Sequence, residues 1–430
     1  MSQSITVKAL VIGLLTIFLL IPGFMIQNLI QERQNRSIET IEKINAKWSN
    51  AQTFCGPVIA IPYTITQTNS DNKTTTREYI LNITPENLNI NTQLFPKERY
   101  YGIYKTILYK SEMKITGNFG KIKFPKIENC TVHWEQVCLA IGVTDLRGIT
   151  DNIDFTFDDK QYTAEAAGNY DILAGKALII KLNNADSLQS DRPLAFNCQL
   201  KLNGSSNINF IPMGKTTEVH VTGSWKSPGF IGNFSPEHTV TEKGFEANWS
   251  ILHFNRSIPD MWNDYPDSLA DSSFGINLVD PVNHYQQNMR SAKYAIMFIA
   301  LTFVVFFFVE ILTKKRIHPI QYLLVGLALI LFYSLLLSIS EQINFSIAYL
   351  IASTATIGLI TTYVHSIFKN KMQTGILTAM LCVLYIFLYV ILQLEDVALL
   401  IGSIGLFIIL AVIMFFSRKI NWYKQEENGD

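Results

Sequence analysis

The sequence predicts a multi-pass α-helical membrane protein with six transmembrane helices, arranged as one plus five, and a large β-rich, sandwich-like domain outside the cytoplasm. Three observations predict this class: an apolar run near the N-terminus, five apolar runs after residue 290, and a long intervening segment of alternating, strand-like patterns. Only 16% of the 430 residues are charged, against about 25% in an ordinary soluble protein. Residues 291–417 contain just ten of those charges, so the chain has two unlike parts.

The charge balance excludes two classes of protein. The 35 basic and 35 acidic residues cancel, so the chain has no overall positive field with which to attract nucleic acid. A low charged fraction together with 12% aromatic residues also excludes a largely disordered chain. We therefore expect the lipid bilayer as a partner, and no nucleic acid.

The first transmembrane helix is predicted over residues 5–26, with Lys8 as its one charge. The residues that follow, PGFMIQNLIQER, contain no small-x-small cleavage site, so we expect an uncleaved signal anchor within residues 1–30. Apolar side chains then recur at spacings of three and four, which predicts an amphipathic helical stalk over residues 31–50. These side chains are Ile38, Ile41, Ile44 and Trp48.

Residues 51–290 form the predicted β-rich domain. Short runs such as PVIAIPYTITQT and TEVHVTGSW are rich in Ile, Val, Thr and aromatic residues, and Gly, Asn, Asp and Pro separate them. This pattern is typical of antiparallel strands in a sandwich. NGSS between LAFNCQLKL and NINFIP predicts a hairpin turn. Four of the five cysteines lie in this domain, and Cys130 and Cys138 either form a disulfide or remain buried thiols.

Five further transmembrane helices are predicted within residues 291–417, before a cytoplasmic tail at 418–430. Each run has about 20 residues, which is enough for a helix to cross a hydrocarbon core of about 30 Å. An apolar run of this length must be helical in the membrane, because no water is present there to satisfy the backbone. The runs are 292–312, 320–340, 343–364, 374–392 and 397–416.

Basic residues in the short loops orient the bundle, because Lys and Arg accumulate on the cytoplasmic side. With the N-terminus inside, nine basic residues fall inside: Lys8, Lys314, Lys315, Arg316, Lys369, Lys371, Arg418, Lys419 and Lys424. The two short outside loops, SEQIN and QLED, contain no basic residue. Both termini are therefore predicted to be cytoplasmic, with residues 31–290 outside.

The sequence contains no motif typical of catalysis or metal binding. It has no HExxH, GxxxxGK[ST] or GxSxG motif, and its seven histidines lack the spacing of a zinc site. The segment DNIDFTFDD has several acids but neither the spacing nor the glycine of a calcium loop, so a solvated strand edge is the simpler interpretation. We therefore expect a protein without enzymatic activity, cofactor or metal.

Charged side chains at the predicted membrane boundaries are the candidate functional residues. On the outer side, Glu341, Glu395 and Asp396 lie in two loops, and Arg290 and Lys293 stand at the outer start of the second span. One interpretation is a charged seam between the domain and the bundle, which could admit ions or protons. The other is that these groups are only hydrated at the interface.

The inner boundary supplies further candidates. Glu310 precedes a basic segment at residues 314–316, so a local ion pair is expected there. His318 precedes Pro319, which favours the start of the third transmembrane helix over a role in proton transfer. Small residues also recur every four positions on the fourth span, which predicts close helix packing rather than a substrate path. They are Ala348, Ala352 and Thr356.

Long strings of the sequence resemble a known family, the CreD-type inner-membrane proteins, which are called cell envelope integrity proteins. The similarity is strongest in RSAKYAIMFIALTF (290–303) and HPIQYLLVGLALILFYSLLLSISE (318–341). Outside the membrane, GVTDLRG, NGSSNINFIPMGK and GFEANWSILHFNRSIP also match. CGPV and SWKSPGF depart from the family pattern, with Cys55 and Gly229 where that pattern has Ser.

The resemblance implies a protein of the bacterial inner (plasma) membrane with a periplasmic domain, linked to envelope integrity and stress tolerance, and it implies no catalytic residue. We expect a non-enzymatic protein whose periplasmic domain engages an envelope component, namely lipid, peptidoglycan or protein. The alternative is a transporter or lipid-handling protein that uses the C-terminal bundle. No span has a central charge or a Gly/Pro break that would mark a midplane site, which disfavours transport. The missing catalytic motifs disfavour a cell-wall hydrolase.

Overall fold

The chain divides into two compact units. The computed structural model describes residues 5–68, 74–167, 170, 172, 177–182, 188, 192–263, 268–278, 284–313, 317–394 and 398–417. A helical unit contains residues 1–38 and 282–430, and a β unit contains residues 39–281. The β unit thus includes the end of the predicted stalk and stops short of residue 290.

The described residues include nine α-helices. They are α1 (Ile5–Phe18), α2 (Leu20–Trp48), α3 (Ser268–Asp271), α4 (His284–Lys293), α5 (Ala295–Thr313), α6 (Pro319–Ser340), α7 (Phe345–Phe368), α8 (Lys371–Gln393) and α9 (Ala398–Ser417).

Four described helical stretches are long and apolar enough to cross a membrane: Val7–Trp48, which joins α1 to α2, and the helices α6, α7 and α8. The pair formed by α4 and α5 makes a fifth if it is one span, although its two helices are bent by 43°. The described residues therefore give four or five spans, against the six predicted. Helix α9 coincides with the sixth predicted run.

A one-residue interruption at Leu19 separates α1 from α2. Pro22 explains it, since proline has no N–H for the carbonyl of Phe18 and its ring crowds that carbonyl. Helical hydrogen bonds persist on both sides, from Leu19 N to Leu15 O at 3.0 Å and from Gly23 N to Leu19 O at 3.2 Å. The chain is therefore helical, apart from this interruption, through the predicted stalk to the end of α2.

Polar caps determine where the later spans begin. His318 Nδ1 accepts a hydrogen bond from the Ile320 amide, and the Gln321 side chain accepts one from the His318 amide. Pro319 occupies the first helical position, where its missing N–H costs nothing. The predicted start of a helix at His318 and Pro319 is thereby confirmed. The Asn residues immediately before α7 and α8 cap those helices in a similar way.

The β unit consists of two sheets. The ten-stranded sheet contains β1 (Gln52–Thr68), β2 (Thr74–Ile83), β5 (Cys130–Val132), β6 (Cys138–Val143), β9 (Glu165–Ala166), β10 (Ala177–Lys181), β12 (Asn207–Phe210), β14 (Pro228–Gly232), β17 (Met261–Trp262) and β18 (Phe274–Leu278). The eight-stranded sheet contains β3 (Asn87–Tyr101), β4 (Tyr104–Phe119), β7 (Asp154–Phe157), β8 (Lys160–Thr163), β11 (Leu194–Ser205), β13 (Thr216–Gly223), β15 (Glu237–Thr241) and β16 (Gly244–Leu252).

The two sheets pack into the predicted sandwich. Side chains of β11 and β16 alternate between buried and exposed, as the twofold period of a strand requires. The buried side chains of both sheets form one hydrophobic core. Among the described strands, most pairs are antiparallel, while β1 with β12 and β3 with β13 are parallel. The eight-stranded sheet has the order β15-β16-β13-β3-β4-β11-β7-β8.

The NGSS segment is not the hairpin turn that the sequence predicts. Its first three residues are the end of β11, which belongs to the eight-stranded sheet, whereas β12 after it belongs to the ten-stranded sheet. Ser206 lies between the two strands and has a left-handed backbone, with φ of 61°. The segment is therefore a crossover between the two layers of the sandwich.

Of the two alternatives for Cys130 and Cys138, the structure shows no disulfide: both thiols are free, and both are partly rather than fully buried. Both residues pair with the same edge of β1, Cys130 opposite Ile65 and Cys138 opposite Ala60. Five residues of strand separate these positions by about 16 Å. A disulfide needs Cα atoms within about 7 Å of each other, so the strand register keeps the two thiols apart.

The GVTDLRG segment ties the start of β1 to the turn after β6. The Asp145 carboxylate, whose side chain is 2% exposed, accepts hydrogen bonds from Arg147 Nε at 2.9 Å, Arg147 Nη2 at 2.6 Å and the Asn50 amide at 3.2 Å. The Gln52 side chain bonds the backbone carbonyl and amide of Asp145 at 2.9 and 3.1 Å. Hydrogen bonding from Arg147 lowers the pKa of Asp145 to about 2, although burial acts in the opposite direction.

Candidate functional site

One polar cluster in the helical unit is built around Glu341, the residue that caps the end of α6. Arg33 of α2 donates two hydrogen bonds to its carboxylate, from Nε to Oε1 at 2.9 Å and from Nη2 to Oε2 at 2.5 Å. The hydroxyl of Tyr285 in α4 donates to Oε1 at 3.1 Å. We call these three residues the Glu341 cluster. Its bidentate arginine–carboxylate pair is the strong form of charge-assisted hydrogen bonding.

Two opposing effects act on the Glu341 carboxylate, which lies just beyond the end of the α6 span. Its side chain is only 5% exposed, and this burial raises its pKa. The hydrogen bonds from Arg33 and Tyr285, together with the charge of Arg33, lower it. The lowering effects prevail, so the pKa of Glu341 lies below its usual value and the carboxylate is ionised at neutral pH.

Helix α4 extends the polar surface beside this cluster. Asn288 Nδ2 donates to Ser340 Oγ at 2.8 Å and to the carbonyl of His284 at 2.7 Å. Asn288 Oδ1 and Ser291 Oγ are buried, and neither has a hydrogen-bond partner within the described part of the chain. Buried acceptors of this kind are where ordered water binds in proteins.

A second polar cluster is built around Glu310, near the end of α5. Lys8 Nζ of α1 pairs with Oε1 of Glu310, and the Ile317 amide donates to the same oxygen at 2.8 Å. The Tyr322 hydroxyl of α6 donates to Oε2 at 2.9 Å. We call these four residues the Glu310 cluster. Both carboxylate oxygens are satisfied, as a buried charge requires.

The two clusters lie at opposite ends of one apolar helical segment. From Lys8 to Arg33 the chain advances 25 residues, or about 37 Å at about 1.5 Å per residue. No charged residue falls between positions 8 and 32. The hydrocarbon core of a bilayer is about 30 Å thick, so the distance between the two ion pairs along the helix slightly exceeds that thickness.

The structure brings together only part of what the sequence predicts at these boundaries. Glu341 receives its basic partner from Arg33 of the N-terminal helix, not from Arg290 or Lys293, which lie in the last turn of α4. Glu395 and Asp396 lie outside the described residues, so Glu341 is the one acid of the predicted charged seam that the described part of the chain includes.

Glu310 also finds a distant partner. Lys8 pairs with it, whereas the basic segment at 314–316, which the sequence offers as the local partner, lies outside the described residues. His318 acts as a helix cap in the structure, with its Nδ1 engaged by the Ile320 amide. The sequence does contain a signal for both pairs, because Lys8 and Arg33 are the basic residues nearest the two ends of the first apolar run.

The small residues of the fourth span lie inside the bundle. Ala348, Ala352 and Thr356 are buried on α7, which packs against α6 and α8. Thr356 donates from Oγ1 to the carbonyl of Ala352 at 2.9 Å, so its hydroxyl is satisfied within its own helix. Gly358 is exposed on another face of the same helix. This arrangement suits close packing of helices.

The described residues hold no group of three or more His, Cys, Asp and Glu side chains that could bind a metal ion. Burial raises the pKa of Cys138 to about 11 and that of Cys198 to about 12, so these two thiols are protonated at neutral pH. Within the described helical residues, the Glu310 and Glu341 clusters are each built on a carboxylate paired with a basic residue of the N-terminal helix.

Comparison with known proteins identifies the family. A family model described as "Inner membrane protein CreD" matches residues 4–423. The inner membrane protein CreD of Escherichia coli (strain K12) is 31% identical over 419 residues, which cover 95% of this chain and 91% of that protein. Among solved structures, an M1 zinc metallopeptidase from Deinococcus radiodurans aligns over 46% of this chain and 42% of its own, with 7% identity and a TM-score of 0.19, too low to support any argument. The chain therefore belongs to the CreD family of inner membrane proteins.

Proposed function

We propose that the chain is a bacterial inner-membrane protein that supports cell envelope integrity and stress tolerance without enzymatic activity. In this proposal the helical unit crosses the membrane six times, both termini are cytoplasmic, and the β unit lies in the periplasm. The β unit engages an envelope component, and the helical unit is its membrane anchor.

The two ion-pair clusters support this topology. Lys8 near the start of α1 meets Glu310 near the end of α5, so these two ends share one membrane surface. Arg33 and the end of α6 share the other surface. Lys369 and Lys371 follow α7, which begins on the Glu341 side, and their positive charge favours the Glu310 side as cytoplasmic.

The observation that supports the anchor role is that both carboxylates at the ends of the spans have hydrogen-bonding and charged partners. Glu310 and Glu341 are the acids at the ends of described spans, and each is held by a basic residue of the N-terminal helix and by a tyrosine hydroxyl. In a transporter, a carboxylate that takes part in transport has to exchange its protein partner for an ion, a proton or the substrate. Here both carboxylates bind basic residues of the N-terminal helix and so connect that helix to the other helices. This structural use of the carboxylates favours an anchor over a transporter.

A complementation assay tests the function. A strain that lacks the chain is given either the wild-type gene or an empty vector, and survival under envelope stress is measured at matched protein abundance. We expect the wild type to restore survival, and the purified chain in liposomes to show no saturable solute uptake. Unrestored survival contradicts the proposal, and saturable uptake replaces it with transport.

Reporter fusions test the topology separately. A periplasm-active phosphatase inserted in the loop at residues 340–344 is expected to be active, whereas the same reporter at the C-terminus is expected to be inactive. The reverse pattern would invert the proposed orientation.

A further inference from the structure

The eight-stranded sheet carries a polar cleft on its solvent-facing side, within the β unit. The cleft has a volume of about 730 Å³, and its lining comes from β3, β4, β13 and β16 together with Ser235 and Glu237. A volume of this size lies within the range of protein sites that bind small molecules.

The strand register arranges the lining side chains in rows. Glu218 on β13 lies opposite Asn89 on β3 and Ser250 on β16. Two residues along, His220 lies opposite Asn91 and Asn248 in the same way. Adjacent strands are about 4.8 Å apart, and alternate residues of a strand about 7 Å apart. The cleft thus presents a regular grid of polar groups.

The hydrogen-bonding groups and charges of this grid indicate which class of ligand can bind in the cleft. Each Asn amide both donates and accepts hydrogen bonds, and Glu218 adds an acceptor. Apolar anchors are lacking among the lining residues, because Ile90, Val219 and Trp249 turn their side chains into the core. The charged groups of the lining are Glu218 and Glu237, so a phosphate or another anion would be repelled.

We propose that this cleft binds a neutral, polyhydroxylated glycan. Repeated hydroxyl groups on a linear sugar chain match repeated amide and carboxylate groups in the grid, with no need for counter-charges. The inference rests on the proposed function, since an envelope glycan meets the cleft only if the β unit is periplasmic.

The binding test uses the full chain in a detergent that has no sugar headgroup. Chitotetraose, a neutral β-linked tetramer of N-acetylglucosamine, is titrated by calorimetry, with a sulfated heparin tetrasaccharide as the anionic comparison. We expect saturable binding of the neutral probe only. A lack of saturable binding by the neutral probe, or tighter binding of the anionic one, overturns the proposal.

Variants locate the site on the sheet. The double variant N89A/N91A is expected to weaken binding at least about tenfold, because several hydrogen bonds to the ligand are lost. Asn197→Ala is the matched control, since Asn197 is exposed in β11 of the same sheet but does not line the cleft. It should change binding less than about twofold.

A second, conservative variant keeps the test meaningful if the double variant fails to fold. Glu218→Gln preserves side-chain size, and it is expected to weaken binding measurably while the tryptophan emission of the protein stays native. Unchanged affinity in a folded N89A/N91A or Glu218→Gln variant contradicts the assignment. The phosphatase fusions distinguish the two failures, because an active periplasmic reporter without glycan binding removes this inference and leaves the proposed topology intact.

Discussion

Arg33 and Glu341 are 308 residues apart in the sequence and are joined by two parallel hydrogen bonds, one of 2.9 Å and one of 2.5 Å. The carboxylate is almost completely buried, while 31% of the arginine side chain is exposed. The pair thus fastens the N-terminal helix to the end of α6. A buried carboxylate that loses such a partner cannot regain hydration without local unfolding, which makes this joint sensitive to mutation.

The first prediction concerns this pair. Arg33→Gln leaves the Glu341 carboxylate buried and without its counter-charge, so we expect the purified protein in detergent to lose at least about 2 kcal/mol of stability. The loss is read as a lower thermal midpoint by circular dichroism at the helical band.

Two further variants show whether the loss comes from the unpaired charge. The double variant R33Q/E341Q removes both charges and is expected to be more stable than Arg33→Gln alone. Arg36→Gln is the matched control, because the Arg36–Glu32 pair at 3.3 Å is solvent-exposed and contributes less than about 1 kcal/mol. An Arg33→Gln protein as stable as the Arg36→Gln protein would show that the joint is unimportant.

The second prediction concerns Glu310. Replacing it by Ala leaves Lys8 and the Tyr322 hydroxyl without an acceptor in a buried setting, whereas Gln retains one oxygen that can accept. We therefore expect Glu310→Ala to be less stable than Glu310→Gln, and both to be less stable than the wild type. Limited proteolysis in detergent measures this order. Glu32→Ala, at an exposed position of α2, serves as the control and should resemble the wild type.

Features of the fold that depend on neighbouring residues could be predicted from the sequence, whereas contacts between residues far apart in the chain could not. The strands, the sandwich and the helix start at His318 follow from local periodicity and capping, which a short window of sequence contains. The NGSS crossover was predicted wrongly because its local pattern fits a hairpin as well as a change of sheet. The Lys8–Glu310 and Arg33–Glu341 pairs were missed because partners some 300 residues apart are chosen by helix packing, not by spacing.

The third prediction concerns close packing at Gly326 of α6. A Cβ atom there would overlap Leu19 Cδ1 and lie 2.9 Å from Phe303 Cζ, so the N-terminal helix and α5 both press on this position. Gly326→Leu is expected to destabilise the bundle by about 1–3 kcal/mol through overpacking. Gly358→Leu is the matched control, because nothing lies within 4 Å of its Cβ position. Equal thermal midpoints for the two variants would contradict this packing.

The fourth prediction is a pH dependence in the β unit. Because the pKa of Asp145 is lowered to about 2, from about 3.9 in an unfolded chain, its ionised form adds stability above about pH 4, and this stability is lost as the pH falls toward 2. Asp145→Asn should therefore cost about 1–2 kcal/mol at pH 6, after allowance for solvent screening of the exposed Arg147, and almost nothing near pH 2. Urea titration followed by tryptophan emission measures this, since five of the six tryptophans lie within residues 39–281. The control is Asp151→Asn, which removes only the exposed 2.9 Å pair with Lys201 and should change stability little at either pH. If Asp145→Asn instead lowers stability by the same amount at every pH, the loss comes from packing and not from ionisation of the carboxyl group.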